Sequence, residues 1–305
     1  METKIISIAD RYPEFIEYQN ISIKKYVKGD YRYVVFNNAA DNRIRSEINS
    51  ACEKLDIEHY ELFGNYNTHS SPIHAEAMNS IWNGYLSDKK GCVFWLDGDM
   101  FFISSINIGN LAKDYDIGYS PIYRDGYNIE CMWTGVLFFN LDTIQRDIDF
   151  SLTNINGFNT DTAGMTYWYL KKYPDYRKAY FSVNTIYYFD DKVLITALNG
   201  CSGNINFTNN IPDEKYCDNR LFPYEKEDDN YLENYRRIYE QHKVIVKEYS
   251  FPKPYDFDLI RIEGTDNEFI FHYKSASWHE RYGDGYNAHS ISKKESLKNL
   301  ILYKD

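Results

Sequence analysis

The chain has 305 residues, of which 17% are aromatic, with five cysteines and a formal charge of −11. That length permits one large α/β domain or two small ones, with a substantial core, while the charge repels a phosphate backbone and argues against nucleic acid as a partner. The scattered cysteines contain no Cys-x-x-Cys pair, so neither a disulfide framework nor a zinc knuckle is expected. The opening METKIISIADRYPEF meets acidic residues before any long apolar run, and no later stretch reaches membrane-span length. A cytoplasmic protein without a leader or a membrane span is the expectation.

In chain order, KIISIAD is a short β-rich run ending at Asp10, and YPEFIEYQNISIKKYV has apolar residues at helical spacing. YRYVVFNNA is a second strand that ends in Asn37 and Asn38, and RIRSEINSACEKLD is a second amphipathic helix. SSPIHAEAMNSIWNGYL offers Ser71 as N-cap and Pro72 at the first helical position. It leads into the strand CVFWLDGD. Strands that alternate with helices in this way predict a mainly parallel sheet flanked by helices, in which ligands bind beyond the carboxyl ends of the strands.

The second half is less regular. YDIGYSPIYR and CMWTGVLFFNL read as strands and TDTAGMTYWYLKKY as a helix, followed by a polar, loop-rich region. DDNYLENYRRIYEQHK and SKKESLKNLILY read as helices, with NEFIFHY a strand between them. With no repeat or linker, residues 1–305 are taken as one domain, with 1–120 a nucleotide-binding half and 121–305 an acceptor half with a C-terminal helical elaboration.

Asp97 and Asp99, in FWLDGDMFF, sit between apolar runs where an unpaired carboxylate is costly. Two hard oxygen donors at a strand end suit Mg²⁺ or Mn²⁺. Gly98, lacking a side chain, leaves room for a ligand or metal. Asp10 and Asn38, at two other strand ends, are candidates for a nucleotide base or ribose, with closure of strand-end turns as the alternative. His74, in the first turn of its helix where backbone N–H groups favour an anion, is a candidate to face the nucleotide, with a capping or surface role as the alternative.

These motifs resemble those of nucleotide-sugar glycosyltransferases of the GT-A fold, a Rossmann-like mixed, mainly parallel sheet flanked by helices. FWLDGDMFF is similar to their Asp-x-Asp strand. MWTGVLFFNLDTI is similar to the strand whose glycine, here Gly135, lets the donor sugar sit against the backbone. NTDTAGMTYWYL resembles the helix start that carries an acidic residue beside the sugar, here Asp161. FIFHYKSASW resembles the late strand whose His272 completes the metal site and whose following Lys274 meets the diphosphate.

Glycosyltransferase family eight and its relatives give the nearest pattern. The chain departs from it with Asp161-Thr162-Ala163 in place of Asp-Gln-Asp, and with Lys274-Ser275-Ala276-Ser277-Trp278 in place of a glycine and a Lys-Pro pair. The resemblance implies a metal-dependent enzyme that moves a sugar from a UDP- or GDP-sugar to a hydroxyl acceptor such as a glycan, with Mn²⁺ or Mg²⁺ held by Asp99 first, by Asp97, which alternatively reaches the ribose hydroxyls of the nucleotide, and by His272. Asp161 is its catalytic carboxylate, a general base if configuration inverts, or a stabiliser of the oxocarbenium or positioner of the acceptor if it is retained. Retention is slightly favoured. A plain helix N-cap is the competing role for Asp161. The rival functions are a nucleotidyltransferase acting on a sugar phosphate and a non-catalytic carbohydrate-binding protein.

Overall fold

The computed structural model describes residues 2–64, 70–124, 129–189, 192–197, 205–208, 211–213, 230–251, 255–265, 267–273 and 285–303. They fall into two compact units: Met1–Met100, Ser105–Phe181 and Ile262–Gly264 in the first, and Phe101–Ser104, Ser182–Arg261 and Thr265–Asp305 in the second.

The first unit opens with β1 (Thr3–Ala9), α1 (Pro13–Tyr26), β2 (Tyr31–Asn37), α2 (Asn42–Lys54) and β3 (Glu58–Glu61). After α3 (Ser70–Ser80) the helix widens into a π-turn over Ile81–Tyr85 and delivers the chain into β4 (Cys92–Asp97). After β5 (Met100–Phe102), whose Phe101 and Phe102 belong to the second unit, come α4 (Ile108–Asp114), β6 (Ile117–Arg124) and β7 (Ile129–Asn140) of the first. A small ribbon of β8 (Asn154–Ile155) and β9 (Phe158–Asn159) precedes α5 (Thr166–Lys172) and β10 (Lys178–Phe189).

The sheet of this unit runs β10-β6-β7-β4-β1-β2-β3. β1 is parallel to both β2 and β4, β2 to β3, and the start of β10 to β6, whereas β7 is antiparallel to β4 and β6. It is therefore mixed and mainly parallel. A central parallel strand covered on both faces has no solvent side, which is why every residue of β1 is buried.

The helices begin where their sequences allow. α1 has Pro13 in its first turn and Lys24 and Lys25 in its last, where cations complement the carbonyl end. α2 is capped by Asp41, whose carboxylate accepts from Ile44 N–H at 2.9 Å. α3 starts at Ser70, so Ser71 and Pro72 lie within its first turn, where proline is tolerated because that N–H has no helical acceptor. Met78 and Trp82 meet Trp95, Phe139 and Phe150 in the core that fixes α3 against the sheet.

The second unit adds β11 (Lys192–Ala197), β12 (Ile205–Thr208), β13 (Ile211–Asp213), α6 (Asn230–Tyr249), β14 (Tyr255–Ile262), β15 (Glu268–His272) and α7 (Gly285–Tyr303). Strands β10 to β13 form an antiparallel meander, and β14 pairs antiparallel with β15. The sequence places loops after α5, but strands occupy this region. Polar Ser182, Asn184 and Thr185 interrupt the apolar run of β10 and hide it from a periodicity argument, and Thr185 is satisfied by a buried bond to Asp258 at 2.6 Å. No helix among the described residues is long and apolar enough to cross a membrane.

Phe257 centres an aromatic cluster with Phe251 and Phe271, at ring separations of 5.6 and 4.8 Å. His242 of α6 is buried beside it. Burial pushes this imidazole down to about 4, the Tyr239 carbonyl opposing and the Lys243 charge adding. The unfolded chain takes up this proton near 6.5 and the fold only near about 4. The stability contributed by neutral His242 is thus full above 6.5 and is lost as pH falls towards 4, amounting to about 2 kcal/mol between pH 7 and 5. His242→Phe should flatten that acid limb in urea midpoints measured at both pH values. Equal acid sensitivity in wild type and variant would contradict this.

Candidate active site

The site is built at the carboxyl end of β4. Val93 to Leu96 are wholly buried between β1 and β7, and the chain then turns at Asp97, Gly98 and Asp99 before burying Met100. The Asp97 side chain keeps 26% of its surface open, and Asp99 is also half-buried. The sequence gives Gly98 the task of admitting a ligand, but a Cβ there would lie 2.7 Å from the Ile8 carbonyl oxygen. The missing side chain is therefore demanded by the close passage of β1.

Three further elements bring polar groups to this turn. Asp10 follows β1 directly and pairs with Arg11 at 3.4 Å. The surrounding protein holds its carboxyl above the usual carboxylate range, Arg11 opposing and the Asp99 charge adding, while 56% side-chain exposure limits the effect. His74 of α3 points Nε2 towards Asp97 Oδ1 at 3.8 Å, an electrostatic approach and not a hydrogen bond. Its Nε2 is buried and has no hydrogen-bond partner among the described residues. Burial holds His74 below its ordinary value, and the charges of Asp10 and Asp161 act the other way. Asp10, His74, Asp97, Asp99 and Asp161 thus form one acidic neighbourhood around a single imidazole.

Asp161 does not start a helix. α5 begins five residues later, at Thr166, because Ala163 takes a left-handed φ of +64° that no helix accommodates. Asp161 is exposed in the preceding turn, where Oδ1 accepts from Thr162 N–H at 2.8 Å and the main-chain oxygen accepts from Gly164 N–H at 3.1 Å. The Thr162 hydroxyl donates to Ser71 O at 3.0 Å and ties this turn to α3. The N-cap role considered for Asp161 is thereby removed.

The other expected residues fall differently. Asn38 is buried, and its N–H donates to Ala9 O at 2.7 Å, a strand-end turn next to Asp10. At Gly135 a Cβ would lie 2.5 Å from the Trp133 ring and 2.7 Å from the Met100 methyl. The close approach of those two side chains leaves no room for a Cβ there. His272, at the end of β15 in the second unit, has Nδ1 at 2.7 Å from Asp258 Oδ2. That pairing puts the proton on Nδ1 and makes Nε2 the nitrogen with a lone pair for a ligand, a common arrangement for metal-binding imidazoles. Lys274 lies outside the described residues. Gln19, a buried polar residue on α1 whose amide reaches the acidic turn, carries no functional motif in the sequence. The available signal was an amide on the stripe formed by Phe15, Ile16 and Ile23.

Two carboxylates one residue apart are a fitting donor set for a hard divalent cation. Among the described residues no three His, Cys, Asp or Glu side chains are grouped closely enough to enclose an ion. An ion of the Mg²⁺ or Mn²⁺ kind is bound by one or two carboxylates with water and substrate phosphates making up the rest.

No protein-family model matches the chain, and no curated protein matches it. Among solved structures it is similar to galactosyltransferase LgtC in complex with donor and acceptor sugar analogues, at 18% identity and a TM-score of 0.33, over 45% of this chain and 58% of that one. It is similar also to the mannosyltransferase PcManGT from Pyrobaculum calidifontis in complex with GDP-Man and Mn²⁺, at 14% identity and a TM-score of 0.36, over 49% and 47% of the two chains. The mannosyltransferase Ktr4p from S. cerevisiae matches at 14% identity and a TM-score of 0.32, over 46% and 56%. The chain spans less than two thirds of the length of each of these structures. Likenesses at these TM-scores carry no argument about activity.

Proposed function

We propose that the chain is a GT-A type glycosyltransferase that moves a sugar from a UDP- or GDP-sugar to a hydroxyl acceptor on a glycan, with a divalent cation as cofactor. The observation that carries this reading is the acidic turn at the carboxyl end of a parallel strand, with Asp10, His74 and Asp161 delivered beside it by three other segments. An ion at such a turn neutralises the charge that develops on a diphosphate leaving group. Asp97 and Asp99 would hold it, with water and the donor's phosphates as its other ligands.

Asp10 and Asn38 would receive the nucleoside, and Lys274 the diphosphate. His74, whose burial disfavours the charged form against the pull of Asp10 and Asp161, would offer the donor a hydrogen bond. Asp161 is the exposed carboxylate assigned to the sugar side. In an inverting reaction it takes the acceptor hydroxyl proton; in a retaining one it stabilises the electron-poor anomeric carbon or orients the acceptor. The product anomer, read by NMR, separates the two.

The test is a panel of nucleotide sugars incubated with Mn²⁺ and assayed for release of nucleoside diphosphate with and without glycan acceptors. One donor turned over only with the cation is the expected result. Cleavage of a donor between its two phosphates, to nucleoside monophosphate and sugar 1-phosphate, would point to the attack at phosphorus of a nucleotidyltransferase, and binding of free glycans with no turnover of any donor would point to a carbohydrate-binding protein.

A further inference from the structure

The geometry points to Gln19 as a positioning residue that sets the aim of the two carboxylates, and hence the affinity of the acidic turn for its cation. The identity of that cation rests on the function proposed above; the clamp itself rests on distances within the first unit.

Gln19 is 1% exposed on α1 and is not in contact with solvent, so its amide must find its partners in the protein. It finds four. Its Oε1 accepts from Ser7 Oγ at 2.9 Å and from the Tyr33 hydroxyl at 2.6 Å. Its Nε2 donates to Asp97 O at 2.9 Å and to Met100 O at 2.9 Å. An amide oxygen has two lone pairs and an amide nitrogen two hydrogens, so the group is saturated.

The arrangement also fixes which way the amide faces. Two main-chain carbonyls can meet only the NH₂ end, and the hydroxyls of Ser7 on β1 and Tyr33 on β2 then both donate to the oxygen. Tyr33 is buried, which holds its phenol protonated and so keeps it a donor.

The two carbonyls that share the NH₂ group belong to residues 97 and 100, which bracket Gly98 and Asp99. Drawing both to one nitrogen fixes the separation of the turn's two ends. Because Gly98 already abuts Ile8 O, the turn is held from the α1 side and from the β1 side. The directions of the Asp97 and Asp99 side chains follow from the backbone held in this way. A carboxylate pair aimed in advance does not have to be ordered by the ion it binds, and loss of such outer partners lowers metal affinity by about 10–100-fold.

Gln19→Met keeps the length and volume of the side chain and removes all four bonds. The measurement is the Kd for Mn²⁺ in the presence of UDP or GDP, by isothermal titration at a temperature where circular dichroism shows wild type and variant both folded, alongside the ligand-free Tm. The expected result is a Kd raised about 10–100-fold. A lowered Tm with an unchanged Kd would mean that Gln19 only stitches the core together, and would overturn the inference. If wild type itself shows no Mn²⁺-dependent nucleotide binding, the proposed function fails and this inference with it, an outcome distinct from wild-type binding that Gln19→Met leaves untouched. Should Gln19→Met not fold, Tyr33→Phe removes one of the two donors that hold the amide. It should raise the Kd in the same direction by a smaller factor, and an unchanged Kd there would overturn the inference equally.

Discussion

Asp99→Ala is expected to abolish Mn²⁺-dependent nucleotide binding and to lower turnover by about a thousandfold or more, the scale on which a charge-stabilising group acts at a reacting centre. Asp99 is half-buried in the turn after β4, so its truncation removes a charge that the surrounding carboxylates do not favour and should leave the fold intact. The variant can therefore be judged as a folded protein. In wild type, saturation with Mn²⁺ and nucleoside diphosphate at about a hundred times their Kd should add about 2.7 kcal/mol to the apparent stability, because only the native state binds them. That increment should vanish in Asp99→Ala while the ligand-free Tm stays within a few degrees of wild type. A folded variant with the full wild-type stabilisation would separate the acidic turn from the metal.

Asp161→Asn is the second large effect. The turn that carries Asp161 is anchored by Thr162, Gly164 and Ser71, and Asn preserves the side-chain oxygen that accepts from Thr162 N–H. The fold and nucleotide binding should survive. Turnover should fall by about 10²–10⁴-fold, as for loss of a general acid or base, since the amide can neither take a proton nor balance positive charge on the sugar. Steady-state rates with the active donor, together with the Kd for nucleoside diphosphate and Mn²⁺, check this. Near-normal turnover would remove Asp161 from the chemistry.

Much of the first unit was legible because its signals are local. The apolar run of β1, the stripe of α1 and the Asp41 cap of α2 each follow from a few neighbouring residues, and the strand-end positions of Asp10, Asn38 and Asp97 follow from their alternation. What was not legible depends on contacts between distant segments. No spacing says that Ile8 O passes 2.7 Å from where a Gly98 Cβ would be, and the local pattern alone suggests space for a ligand. Nor does any spacing say that Trp133 and Met100 approach Gly135 too closely for a Cβ. Asp161 looked like a helix start because its neighbours have helical periodicity, and only the positive φ of Ala163 postpones α5. The meeting of His74 with Asp97 and Asp10 joins α3 to the ends of β4 and β1, a pairing set by the core of Met78, Trp82 and Trp95 and not by any local pattern. Gln19 was passed over for the same reason, since its four partners lie on β1, on β2 and on both sides of the acidic turn.

The most direct test of the central claim, that this turn is where a divalent cation meets a nucleoside diphosphate, is calorimetric titration of UDP and of GDP into the wild-type protein with Mn²⁺ and again with the metal chelated. The account predicts saturable binding of at least one of the two with Mn²⁺ present and its loss on chelation. Binding of neither nucleotide under either condition, or equal binding with and without the ion, would contradict it.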